Sequence, residues 1–157
     1  MKVEFFRHGI EEEELASLRE VLGSLFITTG KPVYRFEDAF AGYLGLPHTV
    51  AVTSCTAAMQ IALLAGGAGP GDEVIVPTMT FIGTPNAVLM AGATPVLVDV
   101  DRETGNIDSS AVEAAVTGRT KAIMPVHLYG QMCDMDALRA IADEHGLFIV
   151  EDAAHAI

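Results

Sequence analysis

Basic residues are scarce in this sequence: nine Lys and Arg stand against 21 Asp and Glu, for a formal net charge of −12. That balance opposes binding to nucleic acid phosphates or to an anionic membrane surface. Cysteine is almost absent, and Cys55 and Cys133 form neither a disulfide framework nor a spaced metal-ligand set, which suits a reducing compartment and indicates no metal site. Long apolar runs are missing too. No stretch reaches the roughly 20 residues of a membrane span, and the first residues lack an apolar signal core, so neither insertion nor export is expected. An acidic cytosolic enzyme is the expectation these absences leave.

What is present is a chain of 157 residues, half of them apolar, long enough to bury one sizeable core. A mean hydropathy of +0.38 is high for a free-standing domain and suggests that some apolar surface meets further protein. Residues 1–47 read as an N-terminal helical segment. Glu11 to Glu14 form an acidic first turn ahead of Leu15, Leu18, Leu22 and Leu25 at helical spacing, Thr28 to Pro32 read as a turn, and Phe36, Phe40 and Tyr43 mark a second helix stopped by Gly45. From residue 48 to 157 short β-branched runs alternate with helical segments. Strands are expected at Thr49–Thr53, Glu73–Pro77, Thr94–Val98, Lys121–Val126 and Leu147–Glu151, and helices at Ala57–Leu64, Thr84–Ala91, Asp108–Val116 and Asp134–His145. Asp108 and Asp134 suit N-caps, and Gly92, Gly118 and Gly146 suit C-caps. Such alternation implies an α/β fold with a parallel sheet.

Ligands of open parallel sheets collect outside the carboxyl ends of the strands, so the residues following each strand are the candidates. Ser54-Cys55-Thr56-Ala57-Ala58 is a small-residue entry to a helix, able to hold a phosphate on backbone N–H groups and the Thr56 hydroxyl, or equally a plain helix cap, with Cys55 read as packing. Phe81 follows the second strand and suits either stacking on a planar ligand or the core. Asp152, after the apolar Phe148-Ile149-Val150, is a carboxylate that could face a protonated ring nitrogen or cap a helix, with His155 close behind. His127 and Tyr129-Gly130-Gln131 could line a pocket mouth, though a satisfied histidine beside a glycine turn explains them as well. The glycine-rich 66–71 stretch lacks the Lys-Ser/Thr of a phosphate loop and reads as a connection.

Taken in order, Ile27-Thr28-Thr29-Gly30, Phe36-Glu37, Ser54-Cys55-Thr56-Ala57-Ala58, Pro70-Gly71-Asp72-Glu73-Val74-Ile75, Gly92-Ala93-Thr94-Pro95-Val96, Val126-His127-Leu128-Tyr129-Gly130-Gln131 and Glu151-Asp152-Ala153-Ala154-His155-Ala156 resemble the DegT/DnrJ-type sugar aminotransferases. The resemblance implies the truncated large domain of the fold-type I, aspartate aminotransferase-like fold, with pyridoxal 5'-phosphate as cofactor. It implies that Thr56 and Ala57 bind the cofactor phosphate, Phe81 stacks on the ring, Asp152 pairs with the ring nitrogen, and His155 lies near the phenolic oxygen. The Schiff-base lysine of that family follows the Glu-Asp-Ala-Ala-His segment after further strands, so the resemblance puts it beyond Ile157. Here Lys2, Lys31 and Lys121 are the only lysines, so the chain holds no catalytic residue of that kind and is expected to be inactive alone. By the same resemblance the Thr49–Thr53 strand joins the sheet through strands absent from the chain. The implied partners are an amino donor such as glutamate, a nucleotide-linked keto sugar and a second copy of the parent protein. A related sugar dehydratase that uses the cofactor without the lysine, and a non-catalytic binding or dimerising fragment, are the alternatives.

Overall fold

A computed structural model describes residues 8–27 and 30–156. Contacts divide the chain near Ala51 and Val52 into two units.

In the first unit, α1 (Glu12–Leu22) starts on a capping box in which the Glu11 N–H donates to Glu14 Oε2 at 2.8 Å, and Glu12, Glu13 and Glu14 fill its first turn. Leu25 lies beyond the end of this helix, which stops at Gly23. Lys31 and Pro32, expected in a turn, open α2 (Lys31–Leu44), because the fixed φ of proline suits a first helical turn. Thr28 and Thr29 of that expected turn lie outside the described residues. Phe36 and Phe40 stack one turn apart with centroids 5.5 Å apart, and Gly45 ends the helix. Neither helix buries a residue: Leu18, Leu22, Phe36 and Tyr43 are all more than half exposed.

The second unit is a three-layer α/β/α sandwich. Its elements are α3 (Cys55–Ala65), β1 (Glu73–Pro77), α4 (Gly83–Met90), β2 (Thr94–Val98), α5 (Ser109–Ala115), β3 (Thr120–Ile123), a 3-10 turn at Leu128–Gly130, α6 (Met135–His145) and β4 (Phe148–Ile149). The four strands are parallel in the order β2-β1-β3-β4. β1 is central and buried throughout, and after Glu73 it is the continuous apolar run that a parallel strand covered on both faces requires. Alternation then assigns its side chains. Val74 and Val76 pack with Met59 and Leu63 of α3 and Ala87 and Val88 of α4, while Ile75 packs on the other face with Val112 of α5 and Leu138 of α6.

Local chemistry explains most boundaries. Asp108 and Asp134 cap α5 and α6 by accepting from Ser110 N–H and Ala137 N–H, and Gly146 ends α6 at φ +65°, a conformation costly for any residue with a Cβ. Gly118, expected as a C-cap, lies two residues beyond the actual cap, Val116, where the chain has already turned extended.

One expected strand does not form. Thr49–Thr53 has no ladder partner among the described residues. Its polar groups turn to side chains instead: Ala51 N–H donates to Glu37 Oε1 at 2.8 Å, and Thr49 Oγ1 donates to the Glu37 carbonyl at 2.7 Å. A strand is a pairing, and β-branched residues alone do not make one. The last two expected strands are shorter at their C-terminal ends, where β3 stops at Ile123 and β4 at Ile149. There the chain opens toward the candidate site, with a single bridge between Val126 and Asp152.

Candidate functional site

The carboxyl edge of the sheet is organised around Asp152. Backbone fixes it first: its N–H donates to the Pro125 carbonyl at 2.9 Å, and its carbonyl accepts from His127 N–H at 3.1 Å. Its side chain is then buried beside the starts of α3 and α4 and receives three donors. Thr84 Oγ1 donates to Oδ2 at 2.7 Å, Ala154 N–H to Oδ1 at 3.2 Å, and Cys55 Sγ to Oδ1 at 3.7 Å. Three donors at one carboxylate suit the anion. A carboxylate of this kind, 5% exposed and with no cationic side chain among its described partners, is complementary to a protonated ring nitrogen.

The start of α3 supplies a second polar feature. Ser54 is the N-cap, and its Oγ accepts from Ala57 N–H at 3.1 Å, while Ala58 N–H reaches the Ser54 carbonyl. Among the described residues nothing accepts from Cys55 N–H or Thr56 N–H. Two backbone donors at the positive end of an 11-residue helix, with the Thr56 hydroxyl alongside, form a donor set suited to a phosphate. Ser54 thus caps the helix through Ala57 N–H, so of the residues expected at a phosphate it is Thr56, and not Ala57, whose N–H has no described acceptor.

Phe81 lies next to this turn, three-quarters exposed. Its ring and the Thr56 hydroxyl converge on Gly83: a Cβ there would come 2.7 Å from Thr56 Oγ1 and 2.9 Å from Phe81 Cδ1. Only a glycine at this place lets α4 begin so close to α3.

His155 completes the edge from the other side. Its ring stacks on Tyr129 at 5.6 Å between centroids and 7° between planes, and its Nδ1 accepts from Tyr129 N–H at 3.3 Å. Tyr129 is the one non-glycine residue at positive φ among the described residues, at +54°. Asn106 supports the turn that holds it, accepting from Leu128 N–H and donating to the Gln131 and Met132 carbonyls. His127 is a satisfied core histidine. It is 1% exposed, its Nδ1 accepts from Cys133 N–H at 3.2 Å, and its Nε2 therefore carries the proton that meets Glu151 at 2.8 Å.

The fold thus brings Thr56, Ala57, Phe81, Asp152 and His155 to one edge of the sheet through the contacts just described. Cys55, expected to be packing, is instead exposed and bonded to Asp152; burial of its thiol, reinforced by the neighbouring carboxylate, raises its pKa. Thr84, Thr80 and Asn106 were not legible as site residues, since each is an ordinary polar residue whose partner is remote in sequence. No described lysine belongs to the edge: Lys121 stands near the amino end of β3, and Lys31 opens α2 in the first unit. Ile157, the residue beyond which the Schiff-base lysine is expected, lies outside the described residues. Among the described residues no group of three or more His, Cys, Asp or Glu is arranged for a metal. None of the helices described is long and apolar enough to cross a membrane.

This combination, a parallel sheet edge with acceptor-free N–H groups at a helix start and a buried carboxylate, is that of an α/β large domain of the cofactor-binding kind. The chain belongs to the DegT/DnrJ/EryC1/StrS aminotransferase family, whose model matches residues 8–157. It is 53% identical over 148 residues to the spore coat polysaccharide biosynthesis protein SpsC of Bacillus subtilis (strain 168), a match covering 94% of this chain and 38% of SpsC. Among solved structures it resembles DesV of S. venezuelae, at 49% identity and a TM-score of 0.89, with 92% of this chain and 39% of DesV covered. Spr1654 of Streptococcus pneumoniae, solved in a PMP form, superposes at a TM-score of 0.95 and 35% identity, with 99% of this chain and 43% of that one covered. The chain therefore spans about two-fifths of the length of these relatives.

Proposed function

We propose that this chain is the cofactor-cradling portion of a pyridoxal-phosphate-dependent sugar aminotransferase that moves an amino group from a donor such as glutamate to a nucleotide-linked keto sugar. One observation carries the reading: Asp152 is buried with three donors and no cationic side chain among its described partners, next to the N–H groups at the start of α3 that no described residue accepts from. Spr1654 has been solved in both PLP and PMP forms, which supports the choice of cofactor. In this reading Cys55 N–H, Thr56 N–H and the Thr56 hydroxyl hold the phosphate, Ala57 stabilises that turn through Ser54, Phe81 covers one face of the ring, and His155 approaches its oxygen.

When bound, the cofactor supplies an electron sink for the carbon that loses a proton. The residues of this chain keep that sink effective. Asp152 would hold a proton on the ring nitrogen, the α3 start would fix the phosphate, and Phe81 would cover one face of the ring. The lysine that would shuttle protons is none of Lys2, Lys31 and Lys121, so the 157 residues alone are expected to bind and not to transaminate. A homodimeric parent in the cytoplasm is part of the same reading, supported by the exposed apolar side chains of α1 to α4.

Pyridoxamine phosphate needs no lysine and is the probe of choice. Equilibrium dialysis should show binding to the chain, lost in Asp152→Ala and competed by inorganic phosphate. Equal binding by Asp152→Ala and the unmodified chain would sink the assignment.

A further inference from the structure

Thr84 is wholly buried and polar, 68 positions before the residue it serves. A threonine hydroxyl has one proton to give, and this one goes to Asp152 Oδ2 at 2.7 Å. The 2.7 Å contact between Thr84 Oγ1 and Thr80 Oγ1 is then donated by Thr80. The result is a directed chain, Thr80 to Thr84 to Asp152, with every proton pointing toward the carboxylate. Thr80 lies within the β1–α4 connection and Thr84 in the first turn of α4, four positions on.

We propose that Thr84, oriented by Thr80, is a positioning residue that sets the protonation of the cofactor ring nitrogen through Asp152. A hydroxyl donating to Oδ2 stabilises the anion and fixes its plane, while Ala154 N–H and Cys55 Sγ occupy Oδ1. An ionised, immobile carboxylate keeps a proton on the ring nitrogen it faces; a carboxylate without that donor competes less well for the ionic form of the pair. The inference rests on the cofactor reading above but concerns different residues, so the two can fail separately.

The experiment loads the chain with pyridoxamine phosphate labelled with 15N in the ring and reads the ring nitrogen by NMR, alongside dialysis for affinity. The unmodified chain should show a protonated nitrogen. Thr84→Val should shift the signal toward the unprotonated form and weaken binding about tenfold, and Thr84→Ser should restore both. Thr80→Val, altering a less buried side chain, should give a smaller shift in the same direction, and it tests the relay even if Thr84→Val does not fold. Loss of thermal stability with an unshifted nitrogen signal would show a purely structural threonine and overturn the proposal. Failure of the unmodified chain to bind, or undiminished binding by Asp152→Ala, would instead overturn the cofactor reading.

Discussion

Gly83 and Thr56 meet so closely that a Cβ on Gly83 would fall 2.7 Å from the Thr56 hydroxyl oxygen, which a side chain there would have to displace. The Thr56 hydroxyl and the first turn of α4 are thereby coupled across 27 positions of sequence. Gly83→Ala is expected to displace Thr56 and the Phe81 ring together. Pyridoxamine phosphate affinity should fall about tenfold, the scale of one hydrogen bond to a charged group. Unchanged affinity would mean the two side chains are free to yield.

Glu73 sits at the start of the central strand, 7% exposed, where Thr117 Oγ1 donates to it at 2.5 Å and Arg119 binds it through Nε and Nη2. Those hydrogen bonds, Thr117's first, hold its carboxyl below the ordinary glutamate value. A lowered folded-state pKa contributes stability that is complete above the unfolded value, about 4.3, and is lost as pH falls through the folded value. Urea midpoints between pH 7 and pH 3 should therefore drop less in Glu73→Gln than in the unmodified chain. Parallel curves would contradict this.

The Cys55 thiol, raised in pKa by burial and then by Asp152, should alkylate slowly with iodoacetamide near neutral pH despite its exposure. Asp152→Asn removes the adjacent charge and should speed that alkylation a few-fold, as peptide mass mapping would record. Cys133, buried and also raised chiefly by burial, should stay unmodified in both proteins.

Packing predictions are larger. Ile75→Ala empties a fully buried position on the α5–α6 face and should cost about 2–5 kcal/mol by denaturant unfolding. Asp134→Ala removes only the α6 cap and should cost about 1 kcal/mol. Gly66→Ala would place a Cβ 2.4 Å from the Phe148 ring and should act like a core substitution although Gly66 lies at a helix end.

How far the sequence reveals all this depends on the range of the interaction. β1 and β2 begin and end where their apolar runs are bounded by turn residues, and the caps at Asp108, Asp134 and Gly146 are local chemistry. Thr49–Thr53 misleads because pairing is decided by distant neighbours, and its β-branched residues are compatible with a strand without producing one. The candidate residues Thr56, Phe81 and Asp152 stand out because they follow expected strands. Thr84 does not, since its significance lies entirely in a hydrogen bond to a residue far along the chain, and Gly83 matters for an atom it lacks.

The Tyr129–His155 pair has a thermodynamic corollary. Holding a tyrosine in left-handed backbone geometry costs about 1–2 kcal/mol, so the stack, the bond to His155 Nδ1 and the Asn106 tether together must outweigh that amount. If the His155 ring is drawn away, part of that compensation goes and the 128–130 turn gains reason to relax. Any displacement of the His155 imidazole would therefore be passed into the main chain of the 128–130 turn, making that turn a reporter of the ring's position.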